Sequence, residues 1–265
     1  MAALIDTHKE EIVQAAGIST QVRRGGKGAP LLVIHGELGL PGWLKSFDII
    51  AQDREVIAPS LPGYGASERP DWIMSVHDLA AWVSWFVRDN KIATPVDVVG
   101  FSMGGWIAAE LATLNPAIFN RLVLVGPMGV KPREGEIFDY FLEGGMTGIR
   151  RNFLAPDSCE EFKRFWGRDL TQDETDAVEW HRETTCRIVW KPYMHSLTLP
   201  HFLLSIAVPT LIVQGEKDAV TPLDCGRMFR DVIPGAKLET IDDCGHMPEM
   251  ETPARFAEIV RKFLG

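Results

Sequence analysis

The sequence contains little of what several classes of protein require. Its 265 residues include only four cysteines, and none has Cys-x-x-Cys or Cys/His ligand spacing. Neither a disulfide framework nor a zinc site is therefore predicted. No apolar run approaches the ~20 residues of a membrane helix, and charged residues follow Met1 too soon for a signal peptide. These absences favour a cytoplasmic protein with reduced thiols at Cys159, Cys186, Cys225 and Cys244.

Positive charge is also scarce. Lys and Arg total 27 against 36 Asp and Glu, which gives a net charge of −9. Nucleic acids and anionic membranes are bound by clustered Lys and Arg, so neither is predicted as a partner. The acidic composition is explained more simply by its contribution to solubility. The 46% hydrophobic content is enough to form a sizeable buried core.

Short apolar runs alternate with helical patterns along most of the chain. An amphipathic helix is predicted at 76–90, and another begins at Pro253. This alternation predicts an α/β fold with a mostly parallel, doubly wound sheet. After a leading hairpin at 11–22, its strands are predicted at residues 30–34, 54–59, 95–99, 121–126, 210–214 and 237–241.

The alternation stops between about Met128 and Ser205. Capping boxes predict helices that start near Ser158 and Thr171, and aromatic residues are frequent throughout this segment. We predict a core of residues 1–127 and 206–265 and a helical lid at 128–205. Such a lid would present apolar rings to a substrate, with Trp190 and Tyr193 as the best candidates. The alternative is that these rings only hold the lid together.

One stretch has the features of a nucleophile turn. Residues Gly100–Gly104 fit Gly-x-Ser-x-Gly between a strand and a helix, and the glycines let the two elements approach closely. The hydroxyl of Ser102 needs a base, and the base needs an orienting acid. His246 follows the last strand and Asp218 follows the strand before it. The alternative orienting acids are Glu216, Asp242 and Asp243.

These motifs resemble those of the α/β-hydrolase superfamily over nearly the whole chain outside the insertion. The resemblance implies the α/β-hydrolase fold, with the lid inserted between strands six and seven. It also implies Ser102 as nucleophile, His246 as base and Asp218 as orienting acid, and it implies neither a metal nor an organic cofactor. The residues that carry it are 32–36 (LVIHG), 61–67 (LPGYGAS), 100–105 (GFSMGG), 209–218 (PTLIVQGEKD) and 245–248 (GHMP).

The oxyanion hole would use the backbone N–H of Met103 and a second N–H from the turn after His35-Gly36. By register the second donor is Glu37, and Leu38 is the alternative. Related sequences often have glycine or an apolar residue at this position. A carboxylate beside a developing oxyanion would raise its energy, so we expect the Glu37 side chain to point away, or Leu38 to donate instead.

A serine nucleophile favours ester or carbonyl chemistry over the aspartate-based reactions of the same fold. We expect a small or medium apolar ester to acylate Ser102, in a monomer or a homodimer. One alternative is a carbon–carbon bond hydrolase of meta-cleavage products from aromatic degradation. Those enzymes share Ser-Met-Gly-Gly but tend to have Trp after the catalytic His, where this chain has Met247. They also need a lid arginine, for which Arg182 and Arg187 are candidates. A further alternative is a ligand receptor on a hydrolase scaffold.

Overall fold

A sheet of eight strands forms the centre of the molecule, in a computed structural model that describes residues 8–265. Residues 1–7, which belong to the predicted core, lie outside the described residues. The spatial order is β1-β2-β4-β3-β5-β6-β7-β8; β2 is antiparallel to both of its neighbours, β1 and β4, and every other neighbouring pair is parallel. The strands are β1 (His8–Ala15), β2 (Ile18–Gly25), β3 (Ala29–Ile34), β4 (Arg54–Pro59), β5 (Val96–Phe101), β6 (Phe119–Val125), β7 (Thr210–Gly215) and β8 (Lys237–Ile241).

Helices cover both faces of this sheet. The helices are α1 (Lys45–Ile50), α2 (Val76–Asp89), α3 (Met103–Leu114), α4 (Gly145–Arg151), α5 (Glu160–Trp166), α6 (Gln172–Val189), α7 (Leu199–Phe202), α8 (Leu223–Val232), α9 (Pro248–Glu251) and α10 (Pro253–Leu264). Val98 of β5 belongs to the apolar cluster formed with α2, α3 and α8, whereas Val99 belongs to the cluster formed with α1 and α10. Successive residues of a strand point to opposite faces, so burial on both faces requires the continuous apolar runs seen in the sequence. The α/β-hydrolase fold predicted from the sequence is confirmed.

The segment between β6 and β7 contains α4 to α7 and no β-strand, as the broken alternation predicted. Helix α6 begins with the predicted capping box, in which Thr171 and Glu174 bond each other's backbone N–H. Helix α5 starts one residue later than predicted, because Cys159 takes the capping position and its sulfur accepts a hydrogen bond from Phe162 N–H. We call residues 128–205 the insertion; its limits as a separate domain stay a prediction.

The parallel strands determine where functional residues meet. The carboxyl ends of β3, β5, β7 and β8 lie at one edge of the sheet, so the residues that follow them come together there. Those residues are the 35–38 turn, Ser102, Asp218 and His246. Within residues 8–265, no helix has both the length and the apolar composition needed to cross a membrane.

Candidate active site

Ser102 lies in a tight turn between β5 and α3. Its φ of 50° is in the left-handed region, which a residue with a side chain adopts only when its surroundings hold it there. The N–H of Ser102 donates to the carbonyl oxygen of Val125 at 2.8 Å. A Cβ on Gly104 would stand 2.1 Å from the Ile34 carbonyl oxygen, so glycine is needed for α3 to pack this close to β3.

Ser102, His246 and Asp218 form one hydrogen-bonded chain. The Nε2 atom of His246 lies 2.8 Å from Ser102 Oγ, and its Nδ1 lies 2.8 Å from Asp218 Oδ2. The other oxygen of Asp218 accepts the backbone N–H groups of Val220 and Thr221, each at 2.9 Å. These bonds fix the carboxylate and leave Oδ2 directed at the imidazole. The three residues predicted from the sequence are therefore brought together.

The alternative orienting acids lie elsewhere. Glu216, Asp242 and Asp243 are exposed at the surface, whereas the side chain of Asp218 is buried. Asp218 is consequently the acid that reaches Nδ1 of His246.

The ring of His246 is fully buried beside acidic side chains. Burial alone would lower its pKa, but Asp218, through its charge and its hydrogen bond, together with the charges of Glu37 and Glu249, raises the pKa to about 9. A raised pKa favours the imidazolium that forms when the ring takes a proton. The arrangement suits a ring that accepts the hydroxyl proton of Ser102.

The side chain of Glu37 points into the site, so the expected outward orientation is wrong. Its Oε1 lies 3.9 Å from His246 Nε2, and only 3% of the residue is exposed. The carbonyl oxygen of Glu37 accepts a hydrogen bond from Thr185 of α6, and the side chain then projects toward the sheet edge. The buried Oε2 has no hydrogen-bond partner among the described residues.

The predicted oxyanion donors border the nucleophile. Met103 is the first residue of α3, where an N–H has no carbonyl acceptor within the helix. The 35–37 turn adjoins Ser102 closely enough that a Cβ on Gly36 would lie 3.0 Å from Ser102 Cβ. His35 supports this turn, because its Nε2 accepts the N–H of Leu61 at 2.8 Å and burial lowers its pKa to about 3. The assignment of Met103 with Glu37 or Leu38 stays a prediction.

Two cavities meet at Glu37 and Leu38, which line both of them. The first contains Ser102 and is otherwise mainly apolar, with Glu249 as its second acid. Its apolar side chains are Leu40, Pro41, Leu44, Phe101, Met247 and Met250. The second lies under the insertion, and its larger side chains include Tyr140, Glu143, Ile149, Trp166, Val178, His181 and Arg182.

Trp190 and Tyr193 are not among the residues that line these cavities, so their assignment to the substrate pocket needs correction. Trp190 caps the end of α6, is 63% exposed and packs against Phe141 at a ring distance of 4.9 Å. Tyr193 donates its hydroxyl to the Phe138 carbonyl oxygen and accepts the N–H of Tyr140. Both rings hold the insertion together, which was the alternative for the aromatic residues.

The two candidate arginines of the insertion have different environments. Arg187 donates to the carbonyl oxygens of Asp71 at 3.0 Å and Ile73 at 3.2 Å, and so ties α6 to a core loop. Arg182 lines the cavity under the insertion, and its Nη2 lies 2.7 Å from Glu179 Oε2. Of these two arginines, Arg182 is therefore the one that a ligand in this cavity could contact.

Sequence reasoning missed Tyr140 and Glu249 as residues of the site. The hydroxyl of Tyr140 donates to Asn152 Oδ1 at 2.6 Å, and burial together with the charge of Glu37 raises its pKa. Glu249 is 2% exposed, its Oε2 lacks a partner among the described residues, and burial raises its pKa to about 8. Glutamate in the first turn of a helix is so common that the sequence has no signal to single it out.

The fold and this site define a hydrolase built on a doubly wound sheet. The chain belongs to the α/β-hydrolase family: the family model described as alpha/beta hydrolase fold matches residues 29–253.

The chain is also similar to individual hydrolases over most of its length. The chain is similar to 2-hydroxymuconate semialdehyde hydrolase of Pseudomonas sp. strain CF600, with 30% identity over 94% of this chain and 92% of the relative. It is 28% identical to 2-hydroxy-6-oxo-6-(2'-aminophenyl)hexa-2,4-dienoic acid hydrolase of Metapseudomonas resinovorans, over 96% of this chain and 90% of the relative. Among solved structures, a serine hydrolase involved in carbazole degradation (CarC enzyme) superposes with a TM-score of 0.78 and 25% identity, covering 97% of this chain and 98% of the other.

Proposed function

We propose that this chain is a serine hydrolase that cleaves the carbon–carbon bond beside a ketone in a meta-cleavage product, a 2-hydroxy-6-oxodienoate. Similarity to the two hydrolases named above, over almost the full length of each chain, supports this reaction class. The observation that carries the proposal is the position of Arg182 on the cavity that adjoins Glu37. Ester hydrolysis, which was the main expectation from the sequence, becomes the second candidate function.

The chain's own residues supply the proton transfers at Ser102. The 2-hydroxydienoate must first move the proton of its 2-hydroxyl group to C5, which makes C2 a ketone conjugated with the C3=C4 double bond. His246 takes the proton of Ser102 Oγ as the oxygen attacks the C6 ketone carbon, and the N–H groups of Met103 and of Glu37 or Leu38 receive the developing oxyanion. When the tetrahedral intermediate collapses, the bond between C5 and C6 breaks and its electron pair passes through C3=C4 to the C2 carbonyl group. The imidazolium of His246 returns the proton to the departing fragment, and water then hydrolyses the acyl group from Ser102.

Charge in the cavity orients such a substrate. The dienoate has a carboxylate at the end remote from the ketone. Glu37 repels an anion near Ser102, whereas the guanidinium of Arg182 attracts one under the insertion. With its carboxylate at Arg182, the substrate would present its ketone to Ser102.

The test compares Arg182→Gln with Arg168→Gln. Arg168 is another arginine of the insertion paired with a glutamate, Glu174, but it does not line the cavities at Glu37. Loss of a charge-assisted contact of about 1.5–3 kcal/mol predicts a fall of roughly 10- to 100-fold in kcat/KM for 2-hydroxy-6-oxo-6-phenylhexa-2,4-dienoate in Arg182→Gln. Arg168→Gln should stay near wild type, as should the activity of Arg182→Gln toward p-nitrophenyl butanoate. Equal losses on both substrates, or no loss on the dienoate, would contradict the role of Arg182.

Ester hydrolysis is the second candidate because the wall beside Ser102 is mainly apolar. Leu40, Phe101, Met247 and Met250 line this cavity, and Met247 stands where meta-cleavage hydrolases tend to have tryptophan. Burying each additional CH₂ there is worth about 0.8 kcal/mol, so kcat/KM should rise roughly fourfold per methylene until the space is filled. A series of p-nitrophenyl esters from acetate to octanoate measures this slope. If the best ester far exceeds the dienoate in kcat/KM, ester hydrolysis replaces carbon–carbon cleavage as the proposed function.

A further inference from the structure

Two buried glutamates face the space around the nucleophile, and each has an oxygen without a protein partner. Glu37 and Glu249 line the cavity that contains Ser102, and the Oε2 atom of each is buried and unbonded among the described residues. Burying a polar atom without a hydrogen bond costs stability, so such atoms are rare outside functional sites. Their position beside Ser102 indicates that the acceptors serve a ligand.

Glu37 is the closer of the two to the reacting atoms. Its Oε1 lies 3.9 Å from His246 Nε2, and Ser102 Oγ lies 2.8 Å from the same nitrogen. A group that contacts Glu37 is therefore only a few bonds from the carbon that Ser102 attacks. Glu249 is also fully buried, and this burial raises its pKa to about 8.

The neighbouring donors of the described chain are used by other acceptors. Tyr140 lies within hydrogen-bonding range of the Glu37 carboxylate, but its single hydroxyl proton is donated to Asn152 at 2.6 Å. The Nδ1 atom of His246 faces Asp218, and its Nε2 is 2.8 Å from Ser102 Oγ and 3.9 Å from Glu37. The carboxylate of Glu37 is thus left as an acceptor aimed into the cavity. Only a hydrogen-bond donor or a cation satisfies it, and a carboxylate or an apolar group does not.

We propose that Glu37 is a specificity-determining residue that accepts a hydrogen bond from a hydroxyl or amino group on the acyl part of the substrate, close to the scissile carbonyl. This inference rests on Ser102 as the nucleophile of the proposed function, but it holds for either bond that Ser102 cleaves. It adds to that function a class of substrate: carbonyl compounds with a donor near the reacting carbon.

The experiment uses three esters that differ only at one carbon: the p-nitrophenyl esters of butanoic, 3-hydroxybutanoic and 3-aminobutanoic acids. A hydrogen bond to a charged acceptor predicts that the wild-type enzyme prefers the hydroxy and amino esters over the plain ester by roughly 10- to 100-fold in kcat/KM. Glu37→Leu should abolish both preferences. Glu37→Gln, which keeps an acceptor but no charge, should lose the preference for the ammonium group and keep part of that for the hydroxyl.

The control is Glu258→Gln, a surface glutamate of α10 paired with Arg255, which should leave all three values unchanged. The thermal unfolding temperature of each variant shows whether a change in substrate preference is accompanied by a loss of folded structure. Glu37→Gln loses the attraction between the Glu37 carboxylate and the imidazolium of His246, so a modest fall in Tm is expected and is compatible with the proposal. If Glu37→Leu does not fold, the loss of ammonium preference in Glu37→Gln decides the question.

Two results would overturn the proposal: no preference in the wild type, or a preference that survives both Glu37 substitutions. Failure of carbon–carbon cleavage gives a different pattern. In that case the dienoate is not turned over while the ester preference and its loss in Glu37→Gln remain.

Discussion

Glu37→Gln should move the pH dependence of the reaction, because it removes a negative charge beside the base. The amide has nearly the shape of the carboxylate, so the substitution alters the electrostatics of His246 with little change in packing. The carboxylate raises the pKa of His246, and its removal must lower that pKa.

The distance sets the size of the effect. Two unit charges about 4 Å apart interact by about 1 kcal/mol in water and by about 4 kcal/mol at an effective dielectric constant of about 20. The Glu37 Oε1 to His246 Nε2 separation is 3.9 Å, and both side chains are buried. Since about 1.4 kcal/mol corresponds to one pKa unit, the pKa of His246 should fall by about 1 to 3 in Glu37→Gln.

The sign of the activity change follows from the role proposed for the ring. Only neutral His246 can accept the proton of Ser102, so kcat/KM rises with pH through the pKa of about 9 in the free enzyme. In Glu37→Gln this rise should occur at lower pH, and the variant should be more active than wild type near pH 6 toward a substrate without a donor group.

The assay is kcat/KM for p-nitrophenyl butanoate from pH 5 to 10 at constant ionic strength, after subtraction of uncatalysed hydrolysis. Glu258→Gln serves as the matched control, since it removes an exposed carboxylate that pairs with Arg255. An unchanged profile in Glu37→Gln, or a rise displaced to higher pH, would refute the electrostatic coupling of Glu37 to His246.

Three further predictions concern the remaining site residues. Ser102→Ala should keep the circular dichroism spectrum of the wild type and lose several orders of magnitude in kcat, and near wild-type turnover would exclude Ser102 as nucleophile. Asp218→Asn should reduce kcat far more than Asp242→Asn, because Asp218 contacts His246 Nδ1 and Asp242 is exposed; comparable losses would reassign the orienting acid. The folded-state pKa of Glu249 is raised to about 8, so its carboxyl costs stability that is absent below pH 4.5 and grows up to about pH 8. Glu249→Gln should therefore stabilise the protein more at pH 8 than at pH 5 in urea titrations, and a gain independent of pH would contradict the raised pKa.

The strand segments and the positions of Ser102, Asp218 and His246 after them were predictable because each depends on a local pattern. Runs such as Leu31–Ile34 are apolar at every position, and burial on both sheet faces is the one environment that requires this. Ser102, Asp218 and His246 each follow a strand of one parallel sheet, so topology alone brings them together.

Side-chain directions in loops were not predictable in the same way. The inward orientation of Glu37 depends on a carbonyl held by Thr185, which is 148 residues away in sequence. Trp190 and Tyr193 lie near the return of the chain to the core, but contacts with Phe138 and Phe141 inside the insertion determine where their rings point. Such contacts are long-range and leave no periodic signal in the chain.

Helix α6 links access to the site with the readiness of its catalytic groups. Thr185 bonds the carbonyl oxygen of Glu37 at 3.1 Å, and His181 bonds that of Leu38 at 3.1 Å, while its other ring nitrogen accepts the N–H of Gly65. Glu37 and Leu38, the two candidates for the second oxyanion donor, are thus held in place by α6. If α6 moved outward to admit a ligand, the turn that carries these candidate donors would lose its hydrogen bonds to Thr185 and His181. The position of one helix would then govern both the entry of a ligand and the geometry of the groups proposed to bind the oxyanion.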